Sequence, residues 1–421
     1  MEDYLNILHI SDLHLKEKEL EMQDHFLLKL LDNIKDKIKN KNLKINYIAI
    51  TGDVTWSCKI DEFREVDKFL NKLMEITKVK LENIFIVPGN HDKDKNHLKE
   101  SIECLRKNYF GDPEQFKKFW LNENERILIF ESQNGFFTWY NNKFGKRNFL
   151  DCKNMPYYFL NINHEGKIIR LIGYNTSWLS LGIKEERDMI LGTNQMLQCI
   201  DNKEETILTI ILMHHPSENL ISYDRSFFES EIMKKSDIIL QGHLHMDYVK
   251  ADFINGTLII AAGPGFEHKK SYLSYNIISY RYSTRELTYW IETYMNVHAK
   301  WSEYKDTHIL PSKRELISTL STREYEEINN KYNFDKIVVD FELSQIMDKY
   351  VINFPVYKNS ALVYQCQYFL GYLNIVINPS DIDTITNKFR TNGIIDGDLE
   401  IQKIISAFFV YYLNKYNGGS N

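Results

Sequence analysis

No Cys-x-x-C pair occurs among the five cysteines, Cys58, Cys104, Cys152, Cys199 and Cys366. An odd number without paired spacing argues against a disulfide framework and fits the reduced thiols of a cytoplasmic protein. No apolar run approaches the ~18–20 residues that a membrane span needs. The opening MEDYLNILHI lacks a basic n-region and a long apolar stretch, so it is not expected to act as a secretory signal. Basic charge is not in excess either. The 52 Lys and Arg stand against 58 Asp and Glu, a net charge of −6. With no strongly basic segment, tight sequence-independent nucleic-acid binding is not expected. These absences together lead us to expect a soluble cytoplasmic chain with no membrane partner.

The 421 residues suit two domains, and a hydrophobic content of 43% is enough to bury a core. Short apolar, β-branched runs recur: YLNILHI, INYIAI, NIFIV, KIIRLIGY, TILTIILM, SDIIL, TLIIAA and YLSYNIIS. Between the early ones lie MQDHFLLKLLDNIKDKIKN and IDEFREVDKFLNKLMEIT, whose apolar residues recur at helical spacing. Strand alternating with helix is an α/β rhythm. Residues 93–165 interrupt it with an aromatic-rich insertion expected to form part of a substrate rim, whose aromatics could stack on a nucleobase, though packing against the sheet is their commoner use. The sheet pattern is expected to run out near 295. The division predicted is a catalytic domain over 1–300, a connector over 301–334 and a mainly helical module over 335–421.

The ends of the apolar runs carry the chemistry. LNILHI leads to Asp12 and His14, and INYIAI to Asp53. NIFIV leads to Asn90, His91 and Asp92, TILTIILM to His214 and His215, and SDIIL to His243 and His245. The carboxyl edge of an α/β sheet is where ligands bind. A metal site gathered from several strand ends explains why a buried strand would empty at once into Asp12-x-His14. Mixed imidazole and carboxylate donors suit Mn, Fe, Zn, Co or Ni better than Mg or Ca. Two such ions about 3.5–4 Å apart lower the pKa of a shared water and draw charge from a phosphoryl group. Singly, each of these residues reads as an ordinary loop or core polar group. All five motifs in this order, each after a strand-like run, are hard to reach by chance.

Taken together, Asp12-x-His14, Gly52-Asp53, Gly89-Asn90-His91-Asp92, His214 and Gly242-His243-x-His245 resemble the calcineurin-like metallophosphoesterases. The resemblance runs over residues 5–295. It implies an α/β sandwich of two mixed β-sheets flanked by helices. It also implies two divalent transition ions, manganese favoured. Asp12, His14, Asp53 and His245 would hold the first, and Asp53, Asn90, His214 and His243 the second. His91 becomes an outer-sphere histidine that meets the phosphoryl group, with Asp92 suited to orient it.

His215 is expected to point away from His214. Asn175, in YNTSW, is expected to hydrogen-bond near the site or to hold a turn, and His97 stays open as an auxiliary group. The leading function is hydrolysis of a phosphoester, more in keeping with a phosphodiester or nucleotide-type substrate. The alternatives are a nuclease component of a multi-protein prokaryotic defence or repair system, and a non-catalytic metal-binding scaffold. Lys143, Lys146 and Arg147 form a small basic cluster that reads more readily as a solvated loop. The helical module offers no catalytic motif and is expected to bind a protein partner or self-associate.

Overall fold

The computed structural model describes residues 3–310 apart from short stretches. The longer of these are 110–115, 146–156, 182–188, 193–195, 201–205, 245–250 and 267–271. After 311 it describes 322–332, 379–391 and scattered positions. The chain divides into two compact units, Met1–Pro311 and Ser312–Asn421.

The first unit is built on two six-stranded mixed sheets flanked by helices. One sheet has the order β12-β11-β10-β1-β2-β3. Its strands are β1 (Tyr4–Ile10), β2 (Tyr47–Ile50), β3 (Ile84–Ile86), β10 (Tyr272–Arg281), β11 (Glu286–Met295) and β12 (Lys300–Ile309). The first three run parallel, and β10, β11 and β12 continue the sheet antiparallel. The other sheet has the order β4-β5-β6-β7-β9-β8. It contains β4 (Tyr157–His164), β5 (Lys167–Tyr174), β6 (Leu208–Met213), β7 (Ile238–Gln241), β8 (Ala251–Ile254) and β9 (Thr257–Ala261). Its four central strands are parallel and its two edge strands antiparallel.

All the apolar runs but NIFIV, which forms the edge strand β3, become central strands, because both of their faces are covered. In β6, Ile210 and Leu212 join the large core shared with the first sheet, while Ile211 and Met213 pack into a separate cluster with Phe228 and Ile232. Side chains alternate along a strand, so an unbroken apolar run fits only a strand buried on both sides. Helices α1 (Leu20–Asn40) and α2 (Ile60–Thr77) pack against one another. Leu27, Leu30, Leu31 and Ile34 of α1, and Phe63, Val66, Phe69, Leu70 and Leu73 of α2, give each one buried face. At the start of α2, Glu62 accepts from the amides of Ser57 (2.8 Å) and Lys59 (3.2 Å), which closes a first turn that would otherwise lose those donors.

The first sheet extends further than expected. The sheet does not end near 295, because β12 pairs with β11 residue for residue from Met295↔Lys300 to Glu286↔Ile309. The stretch given to a connector from 301 therefore begins as an edge strand. Its polar composition, KWSEYKDTHI, hid it, since an edge strand with mostly exposed residues need not be apolar. The 93–165 insertion mostly uses its aromatics for packing, their commoner use. It holds helices Lys99–Tyr109, Glu123–Phe130 and Asn134–Phe144, and its C-terminal part is β4. Its aromatics Phe116, Phe119, Phe130, Phe136, Trp139, Tyr140 and Phe144 are buried, whereas Phe159 is exposed. Trp139 stacks on Phe63 of α2 with ring centres 5.0 Å apart. Trp178 stacks with Phe119 (6.1 Å) and Phe130 (5.2 Å). Burying such large apolar surfaces is more favourable than leaving them in water.

In the second unit, Thr322–Tyr332 and Pro379–Thr391 are helices. Proline suits the first helical position of the latter, where its missing N–H costs nothing. Phe334, Ile385, Phe389, Ile404 and Phe408 are buried, with Phe408 in ring contact with Phe334 (5.3 Å) and Phe389 (5.2 Å). Most of the other helical stretches expected after 335 lie outside the described residues. No helix among the described residues is long and apolar enough to cross a membrane.

Candidate metal centre

The loops that leave the parallel strands are stitched to one another. The Asp12 amide donates to the Gly52 carbonyl (3.0 Å) and the His14 amide to that of Asp53 (2.9 Å). The Gly242 amide donates to the His214 carbonyl (3.0 Å). This lacing converts five separate strand ends into one pocket. The close approach needs glycine at two points. Gly52 has φ +94°, and a Cβ there would stand 2.7 Å from His214 Nδ1. A Cβ on Gly89 would stand 2.1 Å from Asp53 Oδ1. The residues aimed into the pocket are themselves twisted. Asp12, His14, Asp53 and His243 have φ of 54°, 44°, 52° and 66°. That left-handed backbone costs a non-glycine residue about 1 kcal/mol each. Four such residues together mark a site whose geometry prevails over local preference.

Asp53 stands at the middle. Its Oδ1 accepts from the His91 amide at 2.6 Å. Its Oδ2 faces two imidazoles, 3.8 Å from His14 Nε2 and 3.5 Å from His214 Nε2. His14 Nε2 is also 3.7 Å from Asp12 Oδ1, and Asp12 Oδ2 accepts from the His243 amide at 3.0 Å. Asn90 Oδ1 is 2.9 Å from His214 Nε2 and 3.2 Å from His243 Nδ1. His214 Nδ1 is 2.7 Å from the Thr51 carbonyl. A carbonyl only accepts, so the ring proton is on Nδ1 and Nε2 presents a lone pair. Burial holds His214 well below the usual histidine range, so the ring is neutral. That lone pair faces the acceptor oxygens of Asn90 and Asp53. Acceptors turned on one another in a buried pocket call for a cation between them. Donors about 2.1 Å from a shared ion, at tetrahedral or octahedral angles, lie about 3.0–3.4 Å apart, close to the spacings here. His14–Asp53–His91, Asp12–Asp53–His214 and His214–His215–His243 each bring their ligand atoms within 4.8 Å of one another. The donor set therefore fits transition-metal ions.

The electrostatics agree. Burial, then the neighbouring Asp12 and Asp92, push the Asp53 carboxyl well above the usual carboxylate range. Asp92 is pushed up to about 6, chiefly by burial. Buried acids crowded in this way are relieved by positive charge.

Of the expected site residues, Asp12, His14, Asp53, Asn90, His91, Asp92, His214 and His243 are all gathered here, whereas His245 lies outside the described residues. The Asp92–His91 side-chain bond does not form. Asp92 accepts from the amides of Val54 (3.2 Å), Thr55 (2.8 Å) and Gly89 (2.9 Å) and from the Thr55 hydroxyl (2.8 Å). It is wholly buried between two loops, and His91 Nδ1 instead meets the Trp56 carbonyl at 2.7 Å. His215 lies closer than expected, 4.5 Å from the His243 ring, but its Nδ1 meets the Thr176 hydroxyl at 2.9 Å. Asn175 holds a turn: its Oδ1 accepts from the Ser177 amide (3.1 Å), and its Nδ2 donates to Gln133 (2.7 Å). His97 Nε2 meets the Leu128 carbonyl at 3.3 Å. Lys143 pairs with Asp67 at 2.7 Å, and Lys146 and Arg147 lie outside the described residues.

Four contributors had no signal in the sequence. Thr51 and Trp56 act through backbone carbonyls, which any residue supplies. Buried Lys93 donates to the carbonyls of Trp178 (3.0 Å) and Ser180 (2.7 Å), tying the His91 loop to the loop after β5. Lys95 Nζ is 3.1 Å from His91 Nε2. In a stretch reading HDKDKNH both lysines look like surface charge.

Comparison with known proteins places these features. Among solved structures, the purple acid phosphatase PPD1 of yellow lupin (Lupinus luteus) is 11% identical, with 72% of this chain and 54% of that one covered and a TM-score of 0.39. Vps29 of Chaetomium thermophilum is also 11% identical, with 73% and 98% covered and a TM-score of 0.32. An uncharacterized metallophosphoesterase-like protein of Bacillus subtilis, YydB, is 25% identical over 252 residues, 57% of this chain. The match spans about half, 49%, of that relative's length. The sequence profile of the calcineurin-like phosphoesterases matches residues 5–247, which contain every residue of the centre, and the chain belongs to that family.

Proposed function

We propose that this protein is a dinuclear metal-dependent hydrolase of phosphoesters, acting in the cytoplasm on a phosphodiester or nucleotide-type substrate. The observation that carries the reading is Asp53 Oδ2 standing between His14 Nε2 and His214 Nε2, at 3.8 and 3.5 Å. One carboxylate oxygen shared by two imidazoles is the arrangement a bridging ligand needs. Asp12, His14, Asp53 and His245 would hold one ion, and Asp53, Asn90, His214 and His243 the other, with manganese the favoured metal. Bound there, the two ions supply an activated water and offset the negative charge that grows on the phosphoryl oxygens.

The chain's own groups prepare the rest. The Thr51 carbonyl fixes the His214 tautomer so that Nε2 faces the pocket. The His91 amide fixes Asp53, and the Trp56 carbonyl fixes the His91 ring, whose Nε2 edge would meet the phosphoryl group and, once protonated to the imidazolium, protonate the leaving oxygen. Asp92 acts on this machinery by holding the loops of Thr55 and Gly89 together. The preference for a diester rests on the resemblance of the Asp12-Leu13-His14 start and the chain length to cyclic-nucleotide phosphodiesterases. The helical module after 335 would serve a protein partner or self-association.

A substrate panel on the manganese-reconstituted full chain tests the reading. It comprises p-nitrophenyl phosphate, bis-p-nitrophenyl phosphate, cyclic nucleotides, dinucleotides and single-stranded DNA. Turnover abolished by chelator and faster on bis-p-nitrophenyl phosphate than on the monoester is expected. A metal-loaded protein that turns over none of them would instead be a non-catalytic scaffold.

A further inference from the structure

Four residues beyond His91, the chain brings an ammonium group back to it. Lys95 Nζ lies 3.1 Å from His91 Nε2, while Nδ1 at the other edge of the ring is 2.7 Å from the Trp56 carbonyl. Because a carbonyl only accepts, Nδ1 carries the ring proton, and Nε2 accepts from Lys95. While the ring is neutral, His91 Nε2 has no proton to offer an anion, and its acid role requires the imidazolium. The fixed positive charge at that edge belongs to Lys95. Orientation of the ring does not require the lysine, since Trp56 already fixes both its position and its tautomer.

The surroundings point the same way. Lys95 is half-buried. Trp56 packs on His91 with ring centres 4.8 Å apart, and Lys16 Nζ sits 4.1 Å over the indole. Two lysines thus flank the His91–Trp56 pair, whereas Asp12, Asp53 and Asp92 are buried. Trp56 is 41% exposed, so this part of the site is open to solvent.

We propose that Lys95 is a further catalytic residue, whose ammonium binds a non-bridging phosphoryl oxygen of the substrate beside His91. The inference rests on the phosphoesterase reading and deepens it. With Nζ only 3.1 Å from Nε2, an oxygen held by the ammonium lies beside the His91 edge. A positive charge held there meets the phosphoryl oxygens as their negative charge grows, without having to reorganise. Lys95 lies outside the GNHD motif and is reached only through the turn that follows it.

Phosphate binding tests the contact independently of turnover. Inorganic phosphate is titrated calorimetrically into the manganese-loaded full chain, its Lys95→Met and Lys95→Arg variants, and Lys68→Met as a remote charge control. Lys68 is exposed on α2 and paired with Glu65. Lys95→Met is expected to weaken phosphate about 10–100-fold, the range for a hydrogen bond to a charged group. It should also flatten the salt dependence at unchanged manganese content. Lys95→Arg should stay within about threefold of the parent because it keeps the charge, and Lys68→Met should match the parent. Equal phosphate affinity in Lys95→Met overturns the proposal. So does a parent that binds no phosphate, or, should Lys95→Met fail to fold or to load manganese, a folded and manganese-loaded Lys95→Gln variant that binds phosphate as the parent does. If phosphate binding depends on Lys95 but no phosphoester is hydrolysed, the contact stands and the phosphoesterase reading falls. If hydrolysis is intact in Lys95→Met, the reading stands and the contact falls.

Discussion

His214 Nε2 and Asn90 Oδ1 face each other at 2.9 Å, two acceptor atoms brought together from the ends of β6 and β3. The proton that could have separated them is on Nδ1, held by the Thr51 carbonyl. His215, the next residue, is turned to Thr176 instead. His214→Ala should therefore lose one of two bound ions, and His215→Ala should keep both. Elemental analysis of the two variants after manganese loading decides between them, and the reverse result would exchange their roles.

His91 is held by its neighbours rather than by the proposed ions, since its Nδ1 meets the Trp56 carbonyl. His91→Ala should retain manganese and lower turnover roughly 10²–10⁴-fold on a substrate with a poor leaving group. The loss should shrink with p-nitrophenolate, which leaves without a proton. A variant as active as the parent on a poor leaving group would remove the acid role.

Asp92 is predicted to matter for folding first. Replacing it with alanine strips the acceptor from three backbone amides, those of Val54, Thr55 and Gly89. Each buried donor left unmade costs about 1–3 kcal/mol, so Asp92→Ala should destabilise metal-free protein by about 3 kcal/mol or more. Asp92→Asn, which keeps an acceptor oxygen, should lose less. Urea unfolding measures both, and an Asp92→Ala variant of parental stability would contradict the bonding described.

The division between what could and could not be foreseen follows solvent exposure. β1, β2, β3, β5, β6, β7, β9 and β10 were visible as apolar runs, and all but β3 are flanked by strands on both sides. The strands that escaped notice are β4, β8 and β12, all at sheet edges, where half or more of the side chains are exposed or half-exposed. At the site, ligand-type side chains announced themselves because each followed a strand. Thr51 and Trp56 did not, because a backbone carbonyl leaves no mark in a sequence. Asp92 reads from the sequence as part of the centre, but its donors are the loop amides and the Thr55 hydroxyl. Adjacency to His91 suggested a contact, whereas the amides of two loops provide a better-matched set of donors.

Asp224 offers a pH test away from the centre. It is fully buried, and its Oδ2 accepts from the amides of Leu191 (2.6 Å) and Gly192 (2.7 Å). Burial pushes its carboxyl up to about 6. In the unfolded chain it titrates near 4. The folded state thus holds the proton more tightly, so stability falls as pH rises from about 4 to about 6, and the full penalty is present above 6. Two pH units correspond to about 3 kcal/mol. Asp224→Asn keeps the acceptor and removes the titration. Its stability relative to the parent, both metal-free, should improve by about 2–3 kcal/mol between pH 4 and pH 7. A difference that does not vary with pH would contradict the assignment.

The central claim is a pair of ions sharing Asp53, and counting ions tests it most directly. Elemental analysis of the full chain dialysed against saturating manganese should give two ions per chain. Asp53→Asn should lower the occupancy of both sites together, because Oδ2 faces His14 on one side and His214 on the other. One ion at most in the parent, or an Asp53→Asn variant that still holds two, would contradict the account.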